Sequence, residues 1–329
     1  MPLRIVFCGT PAFAVPSLRF LLSQPDFQVA GVVTQPDRPR GRGQQTGLSA
    51  VKAAALEAGL DVFQPEKIKS DAAYEYLARA APDAIVIIAY GQIVPPRLIA
   101  LPRLGWINLH ASLLPKYRGA APINWAIVNG EQGTGLTTMK IDAGLDTGPT
   151  LLTWQTAIGP VETAPELTAR LAEAGAPLVA ETLRGMDRGE ITPKPQDNSQ
   201  ATLAPPLKKE DGRIDWSLAA PKIYNRIRGL QPWPGAFTTF RGKTCHIWGR
   251  PALDRNTHPD SETAQTIQHV SPAPGAILLS AALRDDDLLI SCGDRTLLQL
   301  EFVQLEGRKR VTAREFINGA RLAAGDRFE

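Results

Sequence analysis

Up to about residue 190 the sequence alternates short apolar runs with segments of helical periodicity. Such an alternation buries both faces of its strands most readily in an open parallel sheet covered by helices, a Rossmann-like α/β arrangement. Leu3 to Phe7, Gln28 to Thr34, Asp83 to Ala89, Trp106 to His110 and Leu136 to Ile141 read as strands. Ser49 to Ala58 and Asp71 to Ala81 read as helices, the first closing at Gly59 and the second before Pro82. Thr163 and Glu166 have capping-box spacing, and Leu167, Leu171, Leu178 and Met186 continue an apolar stripe that ends before Gly189.

Residues 191 to 208 contain four prolines and almost no apolar periodicity, which predicts a linker. Beyond it Ser217 is placed to cap a short helix carrying Ile223 and Ile227. Five short strands are then expected: Ala236 to Phe240, Thr244 to Trp248, Gly275 to Leu279, Leu288 to Ser291 and Leu297 to Gln304. Strands of this length separated by turn residues suggest a small β-barrel of the oligonucleotide-binding (OB-like) kind. The division is therefore a catalytic domain at 1–190, a linker at 191–208 and a barrel at 209–329, with a polar surface excursion at 254–274.

Several classes of function fall away. The apolar run from Ala84 to Tyr90 is far shorter than the roughly 20 residues of a membrane-spanning helix, so no membrane is expected. Gly9 and Pro11 interrupt the N-terminus before a signal-peptide core forms, which predicts a cytoplasmic protein. Three scattered cysteines and four histidines form no metal-binding spacing, so neither a disulfide nor a metal site is expected. Gly9-Thr10-Pro11 stands where a dinucleotide-binding turn would carry its glycines, but Pro11 and Ala14 occupy the second and third glycine positions. Proline removes an N–H and adds bulk where a pyrophosphate must approach, which argues against NAD. The turn is read as a tight strand-to-helix connection.

Basic and acidic residues balance at 17 and 17 through residue 190, then stand at 19 and 16, so the net charge of +3 lies in the C-terminal part. Local clusters matter more, Arg38, Arg40 and Arg42 in a long Gly/Pro loop and Lys208 and Lys209 in the linker, although a basic cluster is more often a solvated face than a binding site. Phosphate contacts of this kind position a nucleic acid without reading its sequence.

Within the strand Trp106 to His110, a period of two puts Asn108 and His110 on one face near the C-terminal end. That end of an open parallel sheet borders the ligand crevice. From the residues alone, the two are as well explained by a satisfied structural pair as by a reacting centre. Asp142 to Gly148 follows the next strand as a glycine-containing loop able to carry a carboxylate over the crevice. Asp142 reads as an Asx-turn residue and Asp146 as the better candidate for chemistry, a choice that composition alone does not decide.

Asn108-Leu109-His110-Ala111-Ser112-Leu113-Leu114-Pro115, the following Lys116 to Pro122, and Asp142 to Gly148 together resemble the folate-dependent formyltransferase family. The similarity extends over Phe7 to Pro11, Thr34 to Gly43, Arg213 to Trp216 and Gln231 to Gly235. In the first three of these segments it is to the members that formylate methionyl initiator tRNA. The resemblance implies a catalytic trio of Asn108, His110 and Asp146, with 10-formyltetrahydrofolate as donor. It also implies folate contacts from Ser112, Leu113, Leu114 and Pro115, and from Tyr90, Gly91, Gln92 and Ile93. Arg42 becomes the foremost tRNA contact, beside Arg38, Arg40, Lys208 and Lys209, and a monomer is expected. His110 is suited either to proton transfer or, as imidazolium, to donating to an oxyanion, and the sequence leaves both open. Amino-sugar and purine-pathway formyltransferases, a formyl-folate hydrolase and an inert RNA-binding protein are the alternatives. The Arg-rich loop, the second domain and the presence of Asn108 rank them lower.

Overall fold

The computed structural model describes residues 1–40, 45–252, 273–278, 288–323 and 325–329. The chain forms two compact units: Met1–Ile123, Gln132–Ile158 and Glu166–Pro205 make the first, and Asn124–Glu131, Gly159–Pro165 and Pro206–Glu329 the second.

In the first unit seven strands form one sheet in the order Thr150–Ala157, Gly133–Lys140, Trp106–His110, Ala84–Ile88, Leu3–Gly9, Phe27–Val33 and Val62–Phe63. The last five run parallel. All five residues of both Ala84–Ile88 and Trp106–His110 are buried, as strands covered on two faces must be. Helices Ala50–Glu57 and Asp71–Ala80 begin at serine caps, with Ser49 and Ser70 accepting from the N–H of Lys52 and Ala73. The turn after the first strand is tight: a Cβ on Gly9 would lie 3.0 Å from the Ala14 Cβ and 3.1 Å from the Ile88 oxygen.

Two features depart from the expected pattern. Gly133–Lys140 is antiparallel to Trp106–His110, with His110 opposite Thr137 and Ile107 opposite Lys140. The intervening helix Pro122–Val128 has seven residues, about 10 Å of rise, and does not carry the chain back to the start of the sheet. A second strand, Thr150–Ala157, then pairs antiparallel at the edge. Residues 191–205, expected as a linker, are built into the first unit instead. Lys194 pairs with Thr150, and Leu203–Ala204 pairs with Arg118–Gly119. Backbone pairing of this kind needs no apolar periodicity, so composition concealed it.

The second unit carries an antiparallel sheet in the order Phe237–Phe240, Lys243–Pro251, Leu297–Leu305, Leu288–Ser291 and Ile277–Leu278, with Val311–Thr312 paired to Leu297–Leu305. Residues 326–329 bond to both outer strands. Thr239 and Glu329 exchange two backbone hydrogen bonds of 2.9 Å, while Phe328 donates to Gly275 and Ile277 to Asp326. The tail thereby closes the open side of the sheet into the expected small barrel. Ala220–Gly229 supplies the expected helix, but Ser217 does not cap it: its N–H and hydroxyl both donate to Asp215 Oδ1. A second helix, Ala313–Ala320, starts with a capping box from Thr312 and Glu315. The surface excursion at 254–274 lies almost wholly outside the described residues, as does Leu279.

Candidate active site

Leu109 points toward the helix Ala164–Asp187, where a Cβ on Gly175 would meet its side chain. Asn108 and His110 consequently face the other side of the sheet, as the strand period requires. They are 9% and 6% exposed. The Asn108 amide is thus placed to donate to an acceptor that approaches this face.

His110 is held from both edges. Its Nε2 lies 2.9 Å from the Tyr117 carbonyl oxygen. A carbonyl only accepts, so this nitrogen carries the proton, and the lone pair of the neutral ring lies at Nδ1. Nδ1 is 3.6 Å from Asp146 Oδ2, close enough for charge but longer than a direct hydrogen bond. Protonated at Nδ1, the ring would face a carboxylate; neutral, it presents an acceptor there.

The carbonyl of Tyr117 is placed by a compact loop. Ser112 Oγ donates to the Lys116 oxygen at 2.6 Å, and the Lys116 N–H donates to the Leu113 oxygen. Thr137, fully buried on the neighbouring strand, donates to the Ser112 oxygen and accepts from the Leu114 N–H, at 2.7 and 3.1 Å. Tyr117 itself is left-handed at φ 60°, and its N–H donates to Thr202 Oγ1. The hydroxyl of Ser112 is therefore engaged inside the loop, which leaves the backbone and the side chains of Leu113, Leu114 and Pro115 as the groups able to meet a ligand.

Asp146 reaches the ring by a longer route than its place in the sequence suggests. Ile141 donates to the Trp106 oxygen, so the Asp142–Gly148 loop begins beside the start of the His110 strand. It must run back along roughly 10 Å of strand to bring its carboxylate to His110. Asp142 forms the expected Asx turn, accepting from the Gly144 N–H and the Thr147 hydroxyl. Asp146 Oδ2 accepts from the Gly119 N–H at 2.9 Å. Gly119 has φ 124°, and a Cβ there would stand 2.6 Å from the Ala204 oxygen, so only glycine presents this N–H so close to the 203–204 strand.

After the strand Ala84–Ile88, Tyr90 is buried, its hydroxyl has no hydrogen-bond partner among the described residues, and burial pushes its pKa up. Its carbonyl accepts from Gln35 Nε2. Gly91 takes φ 87°, Gln92 bonds to the Ile68 N–H, Gln35 and the Glu66 carbonyl, and Ile93 is 83% exposed. The Gln92 side chain is thus a loop tie, and Ile93 offers the free apolar surface of this segment. Asp37 pairs with Lys52 and accepts from Gln64; the Lys52 contact holds its carboxyl below the usual range.

Arg38 and Arg40 lie on a short strand, Arg38–Arg40, paired with Gln45–Gly47, and Arg38 is exposed. Arg42 lies outside the described residues. Lys208 and Lys209 are exposed and belong to the second unit, at the turn of 3-10 helix Lys209–Gly212. Among the described residues no group of three His, Cys, Asp or Glu side chains could hold a metal ion, and no helix is long and apolar enough to cross a membrane.

Sequence reasoning missed Thr137, Thr202, Arg118 and Gln196. The Arg118 guanidinium, 7% exposed, donates to Gln196 Oε1 and Asn198 Oδ1, and Gln196 Nε2 donates to the carbonyls of Asp146 and Gly148. The available signal was an arginine, Arg118, inside the motif itself.

A parallel sheet with a polar strand end, a histidine backed by a carboxylate and a following small barrel has close counterparts. The family model described as formyl transferase matches residues 3–183, and that of the formyl transferase C-terminal domain matches residues 206–321. The chain belongs to the formyl transferase family. The methionyl-tRNA formyltransferase of Solibacter usitatus is 54% identical over 327 residues, covering 99% of this chain and 98% of that protein. The protein of the same name from Acidobacterium capsulatum is 50% identical over 99% of both. Among solved structures, WlaRD, a sugar 3N-formyl transferase crystallised with dTDP and 5-N-formyl-THF, shares the fold at a TM-score of 0.63 and 18% identity, over 94% of this chain and all of that one. A methionyl-tRNA formyltransferase from Clostridium thermocellum aligns at 0.53 and 17% identity, over 77% of this chain and 94% of its own.

Proposed function

We propose that this enzyme transfers the formyl group of 10-formyltetrahydrofolate to the α-amino group of methionyl initiator tRNA. The observation that carries the reading is His110, fixed between the Tyr117 carbonyl and Asp146, two residues along one strand face from Asn108. The relatives at 54% and 50% identity over nearly their whole length, both named for methionyl-tRNA, support the acceptor.

An α-amino group has a pKa near 7.7 to 8.0, so much of it is protonated at neutral pH and must lose that proton to attack. The neutral amine attacks the formyl carbon, and the carbonyl electrons move to oxygen. Asn108 donates an amide N–H hydrogen bond to that oxyanion. The nitrogen that attacked becomes cationic, and His110 takes its proton at Nδ1, the position facing Asp146. Asp146 stabilises the imidazolium so formed, as carboxylates paired with histidines do elsewhere. The imidazolium returns a proton to N10 of the folate as the carbon–nitrogen bond breaks, leaving tetrahydrofolate and N-formylmethionyl-tRNA. The proton released by the attacking nitrogen passes through His110 to N10, the earlier ammonium proton goes to solvent, and the reading invokes neither a metal nor NAD.

In this reading Leu113, Leu114, Pro115 and Tyr90 to Ile93 border the folate, and Ser112 supports that border from within. Residues 1–190 carry the catalytic domain. Arg38, Arg40, Arg42, Lys208 and Lys209 meet tRNA phosphates, and the barrel after residue 209 binds the tRNA. The protein works as a cytoplasmic monomer.

Incubation with 10-formyltetrahydrofolate and methionyl initiator tRNA should yield N-formylmethionine on the tRNA. Formylation of a nucleotide-linked amino sugar, with none of the tRNA, would overturn the assignment. Asn108→Ala should lower kcat by roughly 10²- to 10³-fold, the loss typical of one oxyanion donor, with KM for folate little changed. Single-turnover kinetics would measure it directly, and a variant with unimpaired turnover would remove Asn108 from the mechanism.

A further inference from the structure

The loop bearing Asp146 has to double back along the His110 strand, and it does so with Asp146 in the left-handed region at φ 51°. A residue with a Cβ adopts this conformation less readily than the right-handed one, so the surroundings must hold it. On the side-chain end the holder is the Gly119 N–H. On the backbone end it is Gln196, whose Nε2 lies 2.8 Å from the Asp146 oxygen and 2.7 Å from the Gly148 oxygen. The other end of the same carboxamide accepts from Arg118, at 3.1 Å from Nε and 2.8 Å from Nη2. The guanidinium can only donate and the two carbonyls can only accept, so the amide has one workable orientation.

Arg118 sits between the two backbone groups that define the site. Its predecessor Tyr117 provides the carbonyl that anchors His110, and its successor Gly119 provides the N–H that anchors Asp146. One half-buried carboxamide thus ties the chain segment that fixes the imidazole to the segment that fixes the carboxylate. We infer that Gln196, held by Arg118, is a positioning residue that sets the His110–Asp146 separation during formyl transfer. The inference rests on the proton-transfer role proposed for that pair. It also gives a chemical purpose to a segment whose composition suggested only a connection.

Two substitutions test it. Gln196→Ala removes both ends of the tie. Gln196→Glu keeps the length and offers Arg118 a carboxylate, but sets acceptor against acceptor at Asp146 and Gly148. Both should lower kcat, by up to about 10²-fold as for a small misplacement of reacting groups, while KM for folate and for tRNA stays at the wild-type value. Gln196→Ala should add nothing in an Asp146→Asn background, because it acts through that carboxylate. Wild-type kcat in Gln196→Glu would overturn the inference, since a role limited to packing or to balancing Arg118 would tolerate that change. So would a loss confined to KM or to the unfolding midpoint, or one fully additive with Asp146→Asn. A readout independent of turnover separates this from the functional reading. The imidazole signals of His110 in ¹H–¹⁵N spectra, assigned with His110→Ala, should move in Gln196→Glu. If wild-type protein transfers no formyl group, the functional reading fails; if those signals stay in place, the positioning inference fails.

Discussion

Replacing His110 with alanine should reduce kcat for formyl transfer by about 10²- to 10⁴-fold, the range lost when a general acid–base is removed. Two effects combine in that variant. The proton acceptor at Nδ1 disappears, and the Tyr117 carbonyl loses the Nε2 hydrogen bond that it receives at 2.9 Å. The second effect is structural and belongs in the unfolding midpoint, where one lost hydrogen bond with a buried partner contributes about 1–3 kcal/mol. The first belongs in the chemical step and is read in a single turnover, so that product release does not mask it. Asp146→Asn provides the complement. Its amide oxygen can still accept from the Gly119 N–H, so the loop is retained while the charge facing Nδ1 is removed. The His110→Ala, Asp146→Asn double variant should be no slower than His110→Ala alone, because groups acting as a unit are lost together. A His110→Ala enzyme that retains wild-type kcat, or a double variant slowed by the product of the single effects, would exclude the proposed proton route.

How far the site could be read in advance depended on the range of the interactions. The shared face of Asn108 and His110 follows from the strand period and was legible from five residues. The Asx turn at Asp142 was local as well. The approach of Asp146 was not, because it depends on Gly133–Lys140 running antiparallel and on the loop then reversing direction. Only the resemblance to formyltransferases supplied that residue. Thr137 and Gln196 act through tertiary hydrogen bonds to backbone groups far away in sequence, which leave no periodic trace. Ser217 shows the same limit on a smaller scale. Its hydroxyl was equally suited to a helix cap and to an Asx-type turn, and Asp215, two residues earlier, captured it. The helix Ala313–Ala320, by contrast, had a readable signal in Thr312 and Glu315 at capping-box spacing.

The second unit makes a sharper prediction, because its closure depends on one side chain near the end of the chain. Phe328 is fully buried, with ring centroids 5.9 Å from Trp216, 5.3 Å from Phe240 and 6.2 Å from Phe316. Around it the tail bonds to Thr239 on one outer strand and to Gly275 and Ile277 beside the other. Trp216 Nε1 donates to Thr238 Oγ1, which in turn donates to the Glu329 carbonyl, so the ring contact and the backbone pairing reinforce each other. Phe328→Ala should therefore destabilise the unit by about 3–5 kcal/mol, the loss seen when a buried aromatic is cut to alanine. Urea unfolding followed by tryptophan fluorescence, which includes Trp216, would measure it. Arg241→Ala removes the exposed ion pair to Asp326 on the same tail and should cost much less, since solvent screens such pairs. If the two variants lost equal stability, the ring would not be what holds the tail, and closure would have to be assigned to the backbone pairing alone.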